Sequence, residues 1–271
     1  MSLQIHPTAV IASGAKLGAD CYVGPHAVID EHVVLGPGCV IGPGVYLTGH
    51  TTAGARNRFH AGAIIGDSPQ DVKYSHAPTR LRIGDDNLFR EHSTIHRSNK
   101  LEEDTVIGDR NFFMAGSHVG HNCLIGSDTV LANGALLAGH VVVADRAFIS
   151  GNCLVHQFCR IGRLAMMQGG SAISKDLPPF CVARGDNGMA GLNTVGLRRI
   201  GLGTEQRSEL RRLFHLLFRS GMRLSVALAA ARDTFPEPVA QEVIAFVAAT
   251  RRGICAATGK KNRAEPDVDG S

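Results

Sequence analysis

The sequence predicts a mainly β fold of short repeated strands, followed by a small C-terminal α-helical domain. Two patterns lead to this prediction. An apolar residue recurs at almost every sixth position from Ile5 to Ile173, and beyond Gly185 the apolar spacing changes to the period of a helix. Glycine is abundant, at 32 residues, and 44% of the chain is hydrophobic. This composition favours a tightly turning backbone around an apolar core and argues against disorder.

The six-residue repeat keeps one phase through the N-terminal part of the chain. Of its 29 positions, only Asp71 is not apolar. The fifth residue of a repeat is often small, and we expect it to face inward as well. Cys123, Cys153 and Cys159 occupy that position. We therefore interpret these cysteines as small core residues and not as metal ligands.

Charge and cysteine content argue against several classes of protein. The formal charge is +4, without the clustered basic stripe that is typical of nucleic-acid-binding proteins. No apolar stretch approaches the ~18 residues of a membrane span, and the N-terminal segment does not resemble a signal peptide. The seven cysteines show no C-x-x-C spacing. We therefore expect a reduced, cytoplasmic protein that binds no nucleic acid and has no membrane span.

The C-terminal domain, residues 186–256, is expected to contain three helices. Thr204 can cap the first of them, and the apolar residues that follow recur with helical spacing. The final segment, residues 257–271, is polar and is expected to be disordered. The three expected helices span about 204–221, 225–235 and 237–252.

Glycine repeatedly follows the apolar residue of the repeat, as at Gly18, Gly24 and Gly126. This pattern resembles the hexapeptide-repeat acyltransferases, whose fold is a left-handed parallel β-helix of triangular section. The resemblance implies such a β-helix over residues 1–185. Each repeat would form one short strand and a turn, and three repeats would close one coil. Successive coils would stack at the ~4.8 Å spacing of neighbouring strands.

Longer motifs resemble one family within this class, the UDP-N-acetylglucosamine O-acyltransferases, which perform the first step of lipid A biosynthesis. The resemblance covers about residues 4–255. VHQF and LAGHV are the more specific motifs, because the repeat alone indicates only a hexapeptide-repeat transferase. The motifs are PQDVKY (69–74), TIHR (94–97), HVGHNC (118–123), LAGHV (137–141), VHQFCRIG (155–162), KDLPPF (175–180) and GLNTVGLRR (191–199).

Residues 18 positions apart lie one above another in such a coil, so His121, Gly139 and Gln157 should form one outward-facing column. An imidazole with an ordinary pKa of about 6.5 can take a proton from a sugar hydroxyl. The N–H of Gly139 can donate to the oxyanion of a tetrahedral intermediate. We therefore predict, as the resemblance also implies, that His121 is the general base and Gly139 the oxyanion donor.

The resemblance further implies the substrates and the assembly. A UDP-sugar would accept an acyl chain from the thioester of acyl carrier protein, with no cofactor and no metal. The site would lie between subunits of a homotrimer, and an external loop near residues 66–82 would reach a neighbouring subunit. Gly169 would set the acyl-chain length, and arginines of the C-terminal domain would suit the acidic carrier protein. The residues implied to bind substrate are Gln70, Asp71, Lys73, His96, His118, His140, His156, Gln157, Asn193 and Arg199.

The chain departs from the family pattern at three places. Asn122 follows the predicted base where the family usually has Asp, and we expect it to orient the imidazole more weakly. The run SNKLEEDTV after Arg97 replaces a glycine-rich loop, and Leu101 keeps the six-residue phase. We therefore expect this second loop to be shortened into a regular coil. Val195 stands where the family often has an acidic residue.

Three alternative functions remain open at this point. The chain could acylate a different nucleotide sugar, possibly an amino sugar, which the expected loss of the second loop and Val195 would favour. A γ-class carbonic anhydrase shares the β-helix, but the three-residue spacing of His118 and His121 does not fit its zinc ligands. An inactive trimeric scaffold draws support only from Asn122 and the expected loss of the loop.

Overall fold

The computed structural model describes residues 3–258, and the repeats form a left-handed parallel β-helix with three sheets. Sheet A contains β1 (Gln4–Ile5), β4 (Tyr22–Val23), β7 (Val40–Ile41), β10 (Arg58–Phe59), β13 (Leu88–Phe89), β16 (Phe112–Phe113), β19 (Val130–Leu131), β22 (Phe148–Ile149), β25 (Met166–Met167), β27 (Cys181–Ala183), β28 (Gly188–Leu192) and β29 (Ala256–Ala257). Sheet B contains β2 (Val10–Ile11), β5 (Val28–Ile29), β8 (Tyr46–Leu47), β11 (Ile64–Asp67), β14 (Thr94–His96), β17 (His118–Val119), β20 (Leu136–Leu137), β23 (Leu154–Val155) and β26 (Ala172–Ile173). Sheet C contains β3 (Lys16–Leu17), β6 (Val34–Leu35), β9 (His50–Ala53), β12 (Arg80–Ile83), β15 (Thr105–Ile107), β18 (Leu124–Ile125), β21 (Val142–Val143) and β24 (Arg160–Ile161).

From β1 to β23, each strand pairs in parallel with the strand three places later, so partners in a regular coil are 18 residues apart, as in the pair Tyr22 and Val40. The second residue of a strand faces the core and the first faces outward, since side chains alternate along a strand. In β7, for example, Ile41 is fully buried while Val40 is partly exposed. The residues that keep the six-residue phase are therefore the ones whose side chains face the core in each sheet.

The core is filled by apolar side chains stacked from coil to coil. Phe59, Phe89 and Phe113 form one such column, with ring centroids 5.0 and 4.8 Å apart. All seven cysteines are buried and free, which confirms their interpretation as small core residues. The thiol of Cys123, for example, donates to the carbonyl of Ala138 at 3.2 Å.

Two loops interrupt the coils on the same side of the helix. The first spans residues 68–79 between β11 and β12, within the region where an external loop was expected. The second spans residues 97–104 between β14 and β15, and Leu101 there is 46% exposed. The prediction that this segment forms a regular coil is therefore wrong. Phe89 pairs with Phe113, 24 positions later and not 18, so six inserted residues preserve the phase of the repeat.

The C-terminal domain packs a second hydrophobic cluster against the last coils. Its first helix is too short to show a period and was not expected from the sequence. Gly203, not Thr204, is the N-cap residue of the second helix, and the last helix ends earlier than the expected residue 252. Among the described residues 3–258, the helices are α1 (Thr194–Arg199), α2 (Thr204–Phe218), α3 (Leu224–Thr234) and α4 (Pro238–Ala248).

After α4 the chain returns to sheet A, where β29 pairs with β28. Asp176, which is 1% exposed, accepts hydrogen bonds from Arg160 and from the hydroxyl of Thr250, and so ties the end of the helical domain to the last coil. Ala257, assigned to the tail from the sequence, belongs to β29. The rest of the expected disordered tail, residues 259–271, lies outside the described residues.

Candidate active site

A cleft of about 660 Å³ lies along sheet B, at its corner with sheet C. Its floor is formed by outward-facing residues of β17, β20, β23 and β26 and by the turns that follow them. Both apolar and polar side chains line the cleft. Gln70 of the first loop and His96, at the end of β14, belong to this lining. The lining residues are Gln70, His96, His118, Gly120, His121, Leu136, Leu137, Ala138, Gly139, Leu154, Val155, His156, Gln157, Ala172, Ile173, Ser174, Asp186 and Asn187.

The structure places His121 and Gly139 one above the other, because they occupy the same position in successive coils. The carbonyl of His121 accepts the N–H of His140, the residue next to Gly139, at 2.9 Å. A Cβ atom built on Gly139 would lie 2.7 Å from both Nε2 and Cε1 of His121. A side chain at position 139 would therefore displace this imidazole, and Nε2 lies against the backbone at Gly139.

Asn122 fixes the orientation of the His121 ring. Its Oδ1 accepts the backbone N–H of Asn99 at 3.0 Å, so this atom is the amide oxygen. The same oxygen lies 2.8 Å from Nδ1 of His121. Because an oxygen that serves as acceptor needs a donor opposite it, Nδ1 carries the proton and Nε2 keeps its lone pair. Asn122 thus holds the imidazole in the tautomer that a base requires.

Three further histidines surround His121. His118 and His96 contact each other edge to face at 5.1 Å between ring centroids, and His140 contacts His121 at the same distance. Burial, together with His96 and His121 nearby, lowers the pKa of His118 to about 4. Burial also lowers the pKa of His96 and of His140. These rings are therefore neutral hydrogen-bonding groups near pH 7.

The first loop is tied to the site by two hydrogen bonds. Nδ1 of His96 donates to the carbonyl of Ser68 at 2.5 Å. The carboxylate of Asp71 accepts a hydrogen bond from the side-chain amide of Asn99 at 2.7 Å. The hydrogen bond from the backbone N–H of Lys73 lowers the pKa of Asp71, and the one from Asn99 adds to this effect. Asp71 thereby supports, through Asn99, the amide that holds His121. The Lys73 side chain is exposed beside it and does not line the cleft.

The other end of the cleft carries His156 and Gln157, both exposed. Nδ1 of His156 lies 3.2 Å from the guanidinium of Arg252 and 3.2 Å from the carbonyl of Gln157. Gln157 is 18 positions beyond Gly139 and completes the outward column. It lines the same cleft as His121.

Comparison with known proteins identifies the family. The family model for the bacterial transferase hexapeptide (six repeats) matches residues 14–49 and 104–139. The family model for domain 2 of UDP-N-acetylglucosamine O-acyltransferase matches residues 176–255. An acyl-[acyl-carrier-protein]–UDP-N-acetylglucosamine O-acyltransferase of Verminephrobacter eiseniae is 47% identical over 93% of this chain and 98% of its own length. The chain belongs to the UDP-N-acetylglucosamine O-acyltransferase family. It is therefore an acyltransferase.

Other members of the UDP-N-acetylglucosamine O-acyltransferase family agree in sequence and in structure. The protein of that name from Alkalilimnicola ehrlichii is 49% identical over 71% of this chain and 76% of its own length. The solved UDP-N-acetylglucosamine acyltransferase from Campylobacter jejuni is 36% identical, covers 93% of this chain and 99% of its own, and superposes with a TM-score of 0.88. The resemblance and the fold class inferred from the motifs are thus confirmed.

Asn193 and Arg199 of this acyltransferase lie away from His121, in a second cleft of about 560 Å³ on sheet A. Asn193 caps α1 by accepting the N–H of Gly196 at 2.9 Å, and its amide donates to the carbonyl of Leu164 at 3.0 Å. Val195 is 55% exposed and lines the same cleft. One chain therefore does not bring these residues together with His121.

Gly169 lies at the corner between sheets A and B, outside both clefts. A Cβ atom there would meet only the carbonyl of Gly151, at the ordinary distance of 3.6 Å. Among residues 3–258, no group of three His, Cys, Asp or Glu side chains could hold a metal ion. No helix in that part of the chain is long and apolar enough to cross a membrane.

The contribution of the second loop to the site was not predicted from the sequence. Ser98, Asn99 and Glu103 all contact the side chain of Asn122. The loop was overlooked because Leu101 kept the repeat in phase. The run of polar residues on both sides of Leu101 was the signal that could have revealed it.

Proposed function

We propose that this acyltransferase moves a (3-hydroxy)acyl chain from acyl carrier protein to the 3-hydroxyl of UDP-N-acetylglucosamine, the reaction that opens lipid A biosynthesis. The observation that carries the proposal is the position of His121, whose unprotonated Nε2 faces the cleft against the backbone of Gly139. The names of the relatives point to the same substrates.

In the proposed mechanism, Nε2 of His121 takes the proton of the sugar hydroxyl as its oxygen attacks the thioester carbonyl. General bases of this kind contribute about 10²–10⁴-fold to the rate. The C–S bond then breaks, and the imidazolium returns the proton to the departing thiolate. Asn122 Oδ1 accepts from Nδ1–H throughout, which stabilises the charge that develops on the ring.

The N–H of Gly139 makes no hydrogen bond within residues 3–258 and is assigned the oxyanion of the tetrahedral intermediate. Since no side chain stands at Gly139, the thioester can approach the backbone closely. Leu136 and Leu154, 41% and 49% exposed, form an apolar wall beside it on sheet B. This wall suits the hydrocarbon part of the acyl chain.

The polar residues of the cleft are assigned to the nucleotide sugar. Gln70, His118, His156 and Gln157 face the cleft with hydrogen-bonding groups. His96 and Asp71 fix the first loop at its edge. His140 stacks on Phe158 at 4.6 Å, which places its ring beside His121.

The assembly is proposed to be a homotrimer with sites between subunits. The base lies at sheet B, whereas Asn193, Arg199 and Lys73 do not face that cleft within one chain. A three-fold assembly can bring sheet A of one subunit against sheet B of the next. The exposed Arg198, Arg211 and Arg212 of the helical domain suit the acidic carrier protein, and we place the reaction in the cytoplasm.

An amino-sugar acceptor remains the second candidate. One of the two reasons for it is gone, because the loop after Arg97 is present and contacts the base through Asn122. Val195 in the second cleft is the reason that stays. The carbonic anhydrase alternative gains no support from the relatives, which are named as UDP-N-acetylglucosamine O-acyltransferases.

Purified protein incubated with a panel of acyl carrier protein thioesters and either UDP-N-acetylglucosamine or its 3-amino analogue separates these candidates. We expect acylated UDP-N-acetylglucosamine, detected by mass, as the main product. A higher kcat/KM for the amino analogue would transfer the proposal to the second candidate. Absence of product with every donor and both acceptors would refute both.

A further inference from the structure

The side chain of Asn122 is held from three sides by the second loop. Its Nδ2 donates one hydrogen to Ser98 Oγ and the other to Oε2 of Glu103, both at 2.8 Å. Its Oδ1 accepts from Asn99 and faces His121. All four hydrogen-bonding positions of the amide are filled, and its side chain cannot turn over without losing them.

Glu103 is itself fixed at the edge of the cleft. Its other oxygen, Oε1, accepts from the ammonium of Lys100 at 2.9 Å, and Oε2 lies 3.8 Å from Nδ1 of His140. The hydrogen bond from Lys100 lowers the pKa of Glu103, and that from Asn122 adds to the effect, so the carboxylate is ionised near pH 7. A negative charge therefore stands one residue beyond the amide that holds the base.

We propose that Glu103 is a positioning residue for catalysis: through Asn122 it fixes the tautomer of His121 and supplies the negative charge that balances the imidazolium. The chain of groups is the carboxylate of Glu103, the amide of Asn122 and the imidazole of His121. The carboxylate thus acts at one remove from the base. The six-residue insertion of the second loop places it there.

The arrangement predicts how two substitutions interact. Asn122→Asp sets a second carboxylate beside Oε2 of Glu103, at the site of a present 2.8 Å contact, so the two charges repel. Glu103→Gln removes the charge. In the double variant, the Gln side chain can donate to the new carboxylate, and a single negative charge remains, now directly beside His121.

This inference rests on the proposed function for its kinetic test. We expect Glu103→Gln and Asn122→Asp each to lower kcat/KM about 3–10-fold, and the double variant to recover to within about twofold of the unaltered protein. Glu102→Gln is the matched control, because Glu102 is an exposed neighbour with no hydrogen bond among the described residues, and it should stay within about twofold. Thermal unfolding of each variant checks the fold. Equal activity of the Glu103→Gln and Glu102→Gln variants, or a double variant no better than Asn122→Asp, would overturn the proposal.

A measurement without substrate separates this proposal from the proposed function. Nitrogen-15 spectra of the histidine rings in the substrate-free protein, above pH 8, report the tautomer of His121. We expect a protonated Nδ1 and an unprotonated Nε2. A protonated Nε2 would overturn the positioning role even if the acyl transfer is observed. The expected tautomer with no transfer to any acceptor would refute the proposed function alone.

Discussion

Gly139 shows how one residue type is dictated by its neighbour in the next coil. The ring of His121 occupies the volume where any side chain at position 139 would begin. The same absence of a side chain lets a substrate approach the backbone of Gly139 closely. The room for the imidazole and the proposed oxyanion donor thus depend on the same backbone position.

Replacing Gly139 by Ala should lower kcat about 10–100-fold, because the new methyl group displaces the imidazole by roughly 1 Å. The imidazole is the end of a side chain and can swing outward, so we expect the melting temperature to change little. Steady-state kinetics and thermal unfolding of the same preparation check both. An unchanged kcat would contradict the assigned contact.

His118 illustrates the effect of burial on a residue beside the base. Its pKa is about 4 in the folded protein, whereas an unfolded histidine titrates at 6.5. Between these values the unfolded chain binds more protons, so the free energy of unfolding falls as the pH falls. Protonation of this histidine in the unfolded chain lowers the free energy of unfolding by up to about 3 kcal/mol. This loss is absent above pH 6.5 and grows as the pH falls toward 4.

His118→Gln should therefore reduce the loss of stability between pH 6.5 and 4. Glutamine can still bond to Thr94, which lies 2.8 Å from Nδ1 of His118. Urea denaturation at several pH values gives the difference between the two proteins. A difference that does not change with pH would contradict the buried, neutral state of His118.

At the scale of elements, the strands were foreseen more completely than the loops. The inward residue of each strand could be read from the six-residue phase, since one face of every strand is buried. The loops at 68–79 and 97–104 insert twelve and six residues, which preserve the same phase. Periodicity alone therefore could not separate Leu101 from the core. The pair β28–β29 is also too short to leave a pattern.

The part of the candidate site that depends on the stacking of successive coils could be predicted from the sequence. Positions 18 apart brought His121, Gly139 and Gln157 into one cleft. The support of Asn122 by Asn99 and Glu103 was not foreseen, because it depends on how an inserted loop folds back. That Asn122 orients His121 more weakly than an Asp would stays a prediction, although four hydrogen bonds fix the amide that contacts the ring.

The corner between β25 and β26 provides the test of acyl-chain selection. A side chain at Gly169 would project into open space, since only Gly151 lies within contact of its Cβ. If the acyl chain runs past this corner, Gly169→Met should shift preference toward shorter acyl chains by about tenfold or more in kcat/KM. Competition between donors of different length measures the shift. Unchanged selectivity would reject the assignment of Gly169.

At the scale of the whole molecule, the separation of the two clefts makes a prediction about assembly. Chains carrying His121→Ala and chains carrying Arg199→Ala are each expected to be nearly inactive alone. If each site combines sheet B of one subunit with sheet A of the next, randomly mixed trimers regain about a quarter of the wild-type sites. Co-expression of the two chains, followed by activity and mass measurement, tests this. A monomer in solution, or no recovery on mixing, would contradict the shared site.

The account depends most on His121 as the base that deprotonates the sugar hydroxyl. The direct measurement is kcat of His121→Ala with UDP-N-acetylglucosamine and acyl carrier protein thioester, beside His6→Ala, which alters an exposed histidine of the first coil. We expect a loss of about 10²–10⁴-fold for His121→Ala and no loss for the control, with both proteins folded. Full activity of the His121→Ala protein would contradict the account.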